Sequence, residues 1–310
     1  MIEFDGVSKS FGGRPALQDV SFTVADGEFC VFLGPSGAGK STALRLVNRL
    51  IAPDAGTIRL DDADIAGLDP VALRRRLGYV IQSIGLFPHW SVAKNIGTVP
   101  RLLGWDKARI ARRVDELLAL VDLDPFVFRN RPPHQLSGGQ QQRVGLARAL
   151  AADPHILLMD EPFGALDAVT RDALQGEMVR IHAATGKTIL MVTHDIDEAV
   201  RLGTRIVVLH DGAVAQNGPP EAVLATPATD FVRALVGGES AALRLLKIRR
   251  VGDWLDDGRG ASGPAVSPDD SLDTALARML GAGKEALPVV DRAGNRAGDI
   301  SLADLVRRDR

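Results

Sequence analysis

Three short strings carry residue types that could do chemistry. The first, Gly34-Pro35-Ser36-Gly37-Ala38-Gly39-Lys40-Ser41, follows an apolar run and precedes a helical one. In that setting G-x-x-x-x-G-K-[ST] makes a phosphate loop. Glycines let the backbone curl until its N–H groups converge on phosphate oxygens, and the next helix points its positive end at the same place. Lys40 can reach the β- and γ-phosphates, and the Ser41 hydroxyl can ligate Mg²⁺; Thr42 closes the stretch from Gly34 expected to hold the nucleotide. Alone, the string serves an ATPase, a GTPase or a kinase.

The second string, His155-Ile156-Leu157-Leu158-Met159-Asp160-Glu161, is an apolar strand ending in two acids. A buried strand tip is a costly place for adjacent carboxylates unless a cation or water chemistry uses them. Beside a phosphate loop, Asp160 would hold the nucleotide's Mg²⁺ and Glu161 would polarise an attacking water. The third, Leu136-Ser137-Gly138-Gly139-Gln140, opens a helical run over 141–151. Ser137 with Gln140 fits a capping box, and the same helix start is also a second anion site.

These strings need a scaffold. Ile2-Glu3-Phe4 and Val20–Val24 alternate as half-buried strands do. Glu28–Leu33, Ile156–Met159, Thr188–Val192 and Arg205–Leu209 are continuous apolar runs, as in strands buried on both faces. Helical stretches separate the later ones, including 41–50 and an amphipathic helix over 107–121 with Ile110, Val114, Leu117, Leu118 and Val121 on one face. That alternation predicts an α/β domain with a largely parallel core. Asp211-Gly212 reads as a hairpin turn into Ala213-Val214-Ala215. Gly237-Gly238 suggests a boundary and Gly258–Pro268 a linker; beyond it a helix over 270–280, a strand at Leu287–Val290, a turn and a helix over 302–307 form a compact piece.

With 310 residues the chain has room for about two domains. A net charge of −2 offers nucleic acid no global attraction. One cysteine, Cys30, excludes an internal disulfide and a cysteine-cluster metal site, and its place in an apolar strand predicts a core residue. No apolar run approaches the roughly 20 residues needed to cross a bilayer, and the start lacks a secretory pattern, so a soluble cytoplasmic chain is expected. His155, His182 and His210 read as packing or surface residues.

In this order the strings resemble those of the ATP-binding cassette (ABC) ATPases, over roughly residues 1–240. Gln82 after Val80-Ile81 resembles the family's Q-loop glutamine, Ala165-Leu166-Asp167 its D-loop, and His194 in Val192-Thr193-His194-Asp195 its switch histidine; Phe11 stands where the family stacks an aromatic on adenine. Asp195 with Glu198 adds a capping-box spacing just after His194. The resemblance implies a P-loop NTPase fold with an antiparallel β subdomain and a helical subdomain, about 83–146. It implies two copies paired head to tail, with Ser137 and Gly139 of one donating to the γ-phosphate of ATP on the other's Lys40. It also implies that Gln82 senses Mg²⁺ and the attacking water, and that His194 contacts the γ-phosphate. ATP then binds the closed dimer better than the open one, which is what drives the conformational change.

ABC ATPases serve transport, nucleic-acid repair or translation. The stretch from Lys40 to Leu136 is too short for an inserted coiled coil and sustains no heptads, and one LSGGQ does not make two cassettes. A transport motor remains, peripheral on the inner membrane's cytoplasmic face, with no nucleic-acid partner and with its membrane domain on other chains. Ile84-Gly85-Leu86-Phe87-Pro88-His89-Trp90 is unusually apolar for a loop, which suits either docking on that permease or local packing. The string from Ile81 to Ile96, with Leu103-Gly104-Trp105, resembles the osmoprotectant importers. The solute, a quaternary amine or else an amino acid or polyamine, would be selected by a separate binding protein and the permease. Residues 267–309, with Leu287-Pro288-Val289-Val290-Asp291 and Gly298-Asp299-Ile300-Ser301, resemble one CBS motif, suited to regulation or to dimerisation. The expected division is thus 1–240 for the ATPase and 241–310 for a linker and CBS-like piece.

Overall fold

Patterned strands and turns fold into two compact units, Met1–Pro220 and Glu221–Arg310. The computed structural model describes residues 1–306 apart from Ile84 and 257–259. Ile84 of the apolar string, Gly258 and Arg259 of the linker, and residues 307–309 at the end of the 267–309 span lie outside the described residues.

In the first unit, period-two alternation builds β1 (Ile2–Phe11) and β2 (Arg14–Val24), both longer than their apolar cores suggest. With β4 (Ala55–Leu60) and β5 (Ala63–Asp64) they form an antiparallel sheet in the order β2-β1-β4-β5. β3 (Phe29–Leu33), β6 (Leu77–Val80), β7 (Ile156–Asp160), β8 (Thr188–Thr193), β9 (Arg205–His210) and β10 (Ala213–Gly218) form the second sheet, in the order β10-β9-β3-β8-β7-β6. All its pairings are parallel except that of β10. Every residue of β3, β7 and β8 is buried, as unbroken apolar runs require. Phe4 stacks on Phe22 at 4.5 Å and both meet Phe32 of β3 edge-on, so one core joins the two sheets. Cys30 lies in that core, where burial pushes its thiol far above the ordinary range and keeps it protonated.

Register decides where chemistry can collect. Leu33 of β3 pairs with Thr193 of β8, Asp160 of β7 with Val192, and Val80 of β6 with Met159. Gly34, His194, Glu161 and Gln82 therefore sit one or two residues past the carboxyl ends of four neighbouring strands, the edge where open α/β sheets bind ligands. Glu28, just before β3, fixes this alignment from the other end: Arg205 Nε donates to its carboxylate at 3.0 Å and the Ala25 N–H at 2.8 Å. Partial burial would raise the Glu28 pKa, but these donors outweigh it and hold the carboxyl below its usual range. A lowered folded-state pKa adds stability above the unfolded value, which is lost as pH falls through the folded one. Arg205→Met should cost about 1 kcal/mol near neutrality and flatten the stability profile below pH ~4.5, as denaturant melts at stepped pH would show.

Between β6 and β7 run the helices Val92–Ile96, Thr98–Leu102, Lys107–Leu120, Pro125–Phe128 and Gly138–Leu150. Helix Lys107–Leu120 buries Val114, Leu117 and Leu118, the predicted face. The helix after the phosphate loop stops at Val47 rather than Leu50, because Arg49 turns left-handed at φ 47°. Among the described residues no helix is long and apolar enough to cross a membrane.

The second unit pairs β11 (Ala286–Val290) with β12 (Arg296–Ser301), flanked by helices Leu272–Ala282 and Leu302–Val306. Helix Leu272–Ala282 starts two residues later than its pattern suggests, because Ser271 caps it by accepting the Thr274 N–H. Trp254, Leu272, Met279, Leu287, Val289 and Ile300 make its core.

Candidate active site

The phosphate loop leaves β3 through backbone that only glycine accommodates. A Cβ at Gly34 would stand 2.2 Å from the Leu209 carbonyl oxygen, and one at Gly39, φ 98°, 2.3 Å from that of Ala16. Pro35, Ser36, Gly37 and Ala38 complete the curl, and Ala38 N–H donates back to Pro35 O. Helix Lys40–Val47 starts at Gly39 with no side chain capping it, so its first amides face the loop unclaimed by a side chain. Such a nest with a helix dipole behind it favours an anion. Lys40, 5% exposed, arches over the loop, and its Nζ donates to Gly34 O at 2.7 Å and Pro35 O at 2.8 Å. Burial lowers its pKa, while the carboxylates of Glu161 and Asp160 pull it back up.

Next along the same helix, Ser41 donates its hydroxyl to Asp160 Oδ1 at 2.8 Å, and Thr42 follows it. One hydroxyl and one buried carboxylate suit a hard cation that takes its other oxygens from phosphate and water. Among the described residues no cluster of three or more His, Cys, Asp or Glu could hold a metal ion by itself.

Glu161 sits at φ 43° with its N–H on Val192 O at 3.0 Å, a strained position for a non-glycine residue that turns the chain off β7. Two side chains from neighbouring strands reach its carboxylate. Gln82 Nε2 donates to Oε2 at 3.2 Å and His194 Nδ1 lies 3.4 Å from Oε1. The His194 side chain is 60% exposed, so it is open to a ligand. The sheet thus gathers Lys40, Ser41, Gln82, Asp160, Glu161 and His194 from four separate strand ends.

The remaining expected residues lie elsewhere. Ser137 and Gln140 form the predicted reciprocal capping box, Ser137 N–H to Gln140 Oε1 at 3.0 Å and Gln140 N–H to Ser137 Oγ at 3.3 Å. Gly138 is open to solvent on its Cβ side, while Gly139 presses on Thr170. Among the described residues no hydrogen bond joins Ser137, Gly138, Gly139 or Gln140 to the phosphate loop of the same chain. Asp167 caps helix Ala168–Thr185 on the Thr170 N–H at 3.0 Å; its bonds to Thr170 hold its carboxyl below the ordinary range. Phe11 ends β1, is 49% exposed, and has Lys9 Nζ 5.6 Å from its ring centre. In the apolar string Phe87 and Trp90 pack at 4.5 Å while Asn95 binds both the N–H and the carbonyl of Phe87. Local packing organises this segment, although Phe87 keeps much of its ring in solvent.

Asp195 caps helix Ile196–Leu202, but the expected reciprocal box is absent. Glu198 takes the Thr193 hydroxyl instead, and Thr193 Oγ1 receives the Asp195 N–H. Residues that motif reading passed over fasten helix Gly138–Leu150 to this core. Gln142 Nε2 donates to Pro162 O just past Glu161, Arg148 Nη1 to Gly85 O at 2.6 Å just past Gln82, and Arg143 pairs with buried Glu177 at 3.3 Å. The available signal was Glu177 itself, a carboxylate in register with Leu174, Met178 and Ile181 on their helix.

A phosphate loop, an acid pair and a capped glycine helix on this sheet define a nucleotide-hydrolysing cassette. Comparison with known proteins agrees: the sequence pattern of the ABC transporter family matches residues 17–164, and that of the CBS domain matches 263–310. The chain is 53% identical to the glycine betaine uptake system ATP-binding protein YehX of Escherichia coli (strain K12), covering 99% of both chains. It is 44% identical to the glycine betaine/carnitine/choline transport ATP-binding protein OpuCA of Bacillus subtilis (strain 168), covering 99% of this chain and 80% of that one. Among solved structures, the dimeric post-hydrolysis state of the cassette MJ0796 bound to ADP and Pi superposes with a TM-score of 0.63 at 35% identity, over 71% of this chain and 99% of that one. The chain belongs to the ABC transporter ATP-binding proteins, and it is an ATPase.

Proposed function

We propose that this ATPase powers import of a quaternary-amine osmoprotectant, working as a head-to-tail pair of copies under a membrane permease fed by a separate binding protein. The convergence of Gln82 and His194 on Glu161, beside the Ser41–Asp160 pair, carries the chemical half of this reading. In it, Gly34–Thr42 cradle the triphosphate and Lys40 leaves its loop carbonyls for the β- and γ-phosphates. Ser41, Asp160 and Gln82 would hold Mg²⁺, which would supply charge neutralisation for the phosphates when bound. Glu161 takes a proton from the attacking water as its oxygen bonds to the γ-phosphorus and the bond to the ADP oxygen breaks. His194 donates to the γ-phosphate. Among the described residues Ser137, Gly138, Gly139 and Gln140 make no hydrogen bond to their own phosphate loop, and Ser137 and Gln140 bond to each other instead, which suits this helix start to the nucleotide on a second copy, with Asp167 near the same seam and Phe11 against adenine.

The ATPase unit would run to about residue 240, with its helical subdomain over about 83–146 gripping the permease at the cytoplasmic face of the membrane. The CBS-like piece over 241–310 would modulate that assembly. The solute class rests on the names of the relatives, which transport glycine betaine, carnitine or choline. Co-reconstitution with its permease and binding protein in vesicles tests it. Glycine betaine, carnitine or choline should stimulate ATP hydrolysis, whereas stimulation only by an amino acid, a polyamine or double-stranded DNA would overturn the solute assignment.

A further inference from the structure

The turn that presents His194 is braced by a carboxyl with no part in the chemistry described so far. Glu198, 5% exposed, accepts the Thr193 hydroxyl on Oε2 at 2.6 Å and Gln175 Nε2 on Oε1 at 3.3 Å. Thr193 Oγ1 accepts the Asp195 N–H at 3.0 Å, and the Asp195 carboxylate accepts the N–H groups of Asp197 and Glu198 at 2.8 and 3.2 Å. The backbone on either side of His194 is thereby closed into a ring of hydrogen bonds. The ring is also anchored from outside: Arg201 donates to Gln175 Oε1 at 3.1 Å and pairs with Asp172, both on the long helix that Asp167 opens. Burial raises the Glu198 pKa, and a buried carboxyl is a poor way to gain stability. It is a good way to specify one arrangement of a turn.

We propose that Glu198 is a positioning residue for ATP hydrolysis, fixing through the Thr193 hydroxyl the turn that holds His194 against Glu161. This rests on the roles given above to His194 and Glu161. Glu198 is itself buried, and among the described residues its side chain bonds to Thr193 and Gln175 rather than to the phosphate loop or Glu161, so its effect on the reaction passes through the turn that carries His194. Small displacements of a reacting group are expensive in rate, about a hundredfold for 1 Å, and loss of one brace should cost about a tenth of that.

Thr193→Val removes the hydroxyl at constant volume, and steady-state ATP hydrolysis by the full chain reads the result. We expect kcat to fall about tenfold while KM for ATP moves less than about twofold, with Thr193→Ser restoring the rate. In a His194→Ala background the same substitution should cost less than about twofold, because residues acting through one another are not additive. Glu198→Met, which removes both acceptor oxygens at similar length, repeats the comparison if the valine variant fails to fold. An equal fold-loss in both backgrounds, or an unchanged kcat in the wild-type background, would overturn the proposal. A His194→Ala chain with wild-type kcat would instead remove His194 from the reaction and the proposal with it, so the two failures are distinguishable.

Discussion

Glu161→Gln should lower steady-state ATP hydrolysis by about two to four orders of magnitude while ATP affinity is retained. The geometry gives the reason. Glu161 stands at the carboxyl end of the central sheet with one oxygen on Gln82 Nε2 and the other beside His194 Nδ1. Glutamine has the same length, adopts the same φ of 43° at similar cost, and still offers one oxygen to Gln82. It cannot take a proton from water. Substrate contacts therefore survive and the bond-breaking step does not, so a mutant bound to ATP should accumulate as the closed pair. Light scattering with and without ATP would show doubled mass persisting for the variant and decaying in the wild type. A wild-type hydrolysis rate would remove Glu161 from the chemistry.

How much of this was legible in the sequence depended on the range of the forces involved. The phosphate loop, the Ser137–Gln140 box and the Asp160–Glu161 strand end are local, so each was read with its residues in place. β4 and β6 were passed over because Ala55–Leu60 and Leu77–Val80 are short and mix glycine with polar residues; only pairing with β1 and β7 makes them strands. The approach of Gln82 and His194 to Glu161 is a matter of sheet order, β8-β7-β6, which no local pattern states. Glu198 is the instructive miss. Its spacing from Asp195 fits a capping box, yet the buried Thr193 hydroxyl competes for its carboxylate and wins, because both groups are cut off from water. That Phe11 ends a strand was hidden for a related reason: β1 runs on through polar residues to reach it, held by pairing with β2.

Gly39→Ala should weaken ATP binding by about two orders of magnitude, and the comparison with Gly37→Ala shows why the loop's glycines are unequal. Both sit at positive φ, 98° and 85°, where a Cβ costs about 1–3 kcal/mol. At Gly37 the added carbon meets nothing within 4 Å, so that dihedral cost stands alone. At Gly39 it would lie 2.3 Å from Ala16 O and 2.6 Å from a Leu17 methyl, both in β2. A backbone carbonyl in a paired strand cannot step aside, and relieving such an overlap costs about a further 1–3 kcal/mol. The loop must move instead. Since Gly39 also starts helix Lys40–Val47, that movement swings the helix amides and Lys40 off the phosphate position together. At about 1.4 kcal/mol per tenfold, the difference between the two sites predicts roughly ten- to a hundredfold weaker binding for Gly39→Ala than for Gly37→Ala. Titration of both variants with a fluorescent ATP analogue measures it directly. Equal affinities would mean that β2 yields to the loop, and that the nest tolerates a side chain where the packing around Ala16 says it should not.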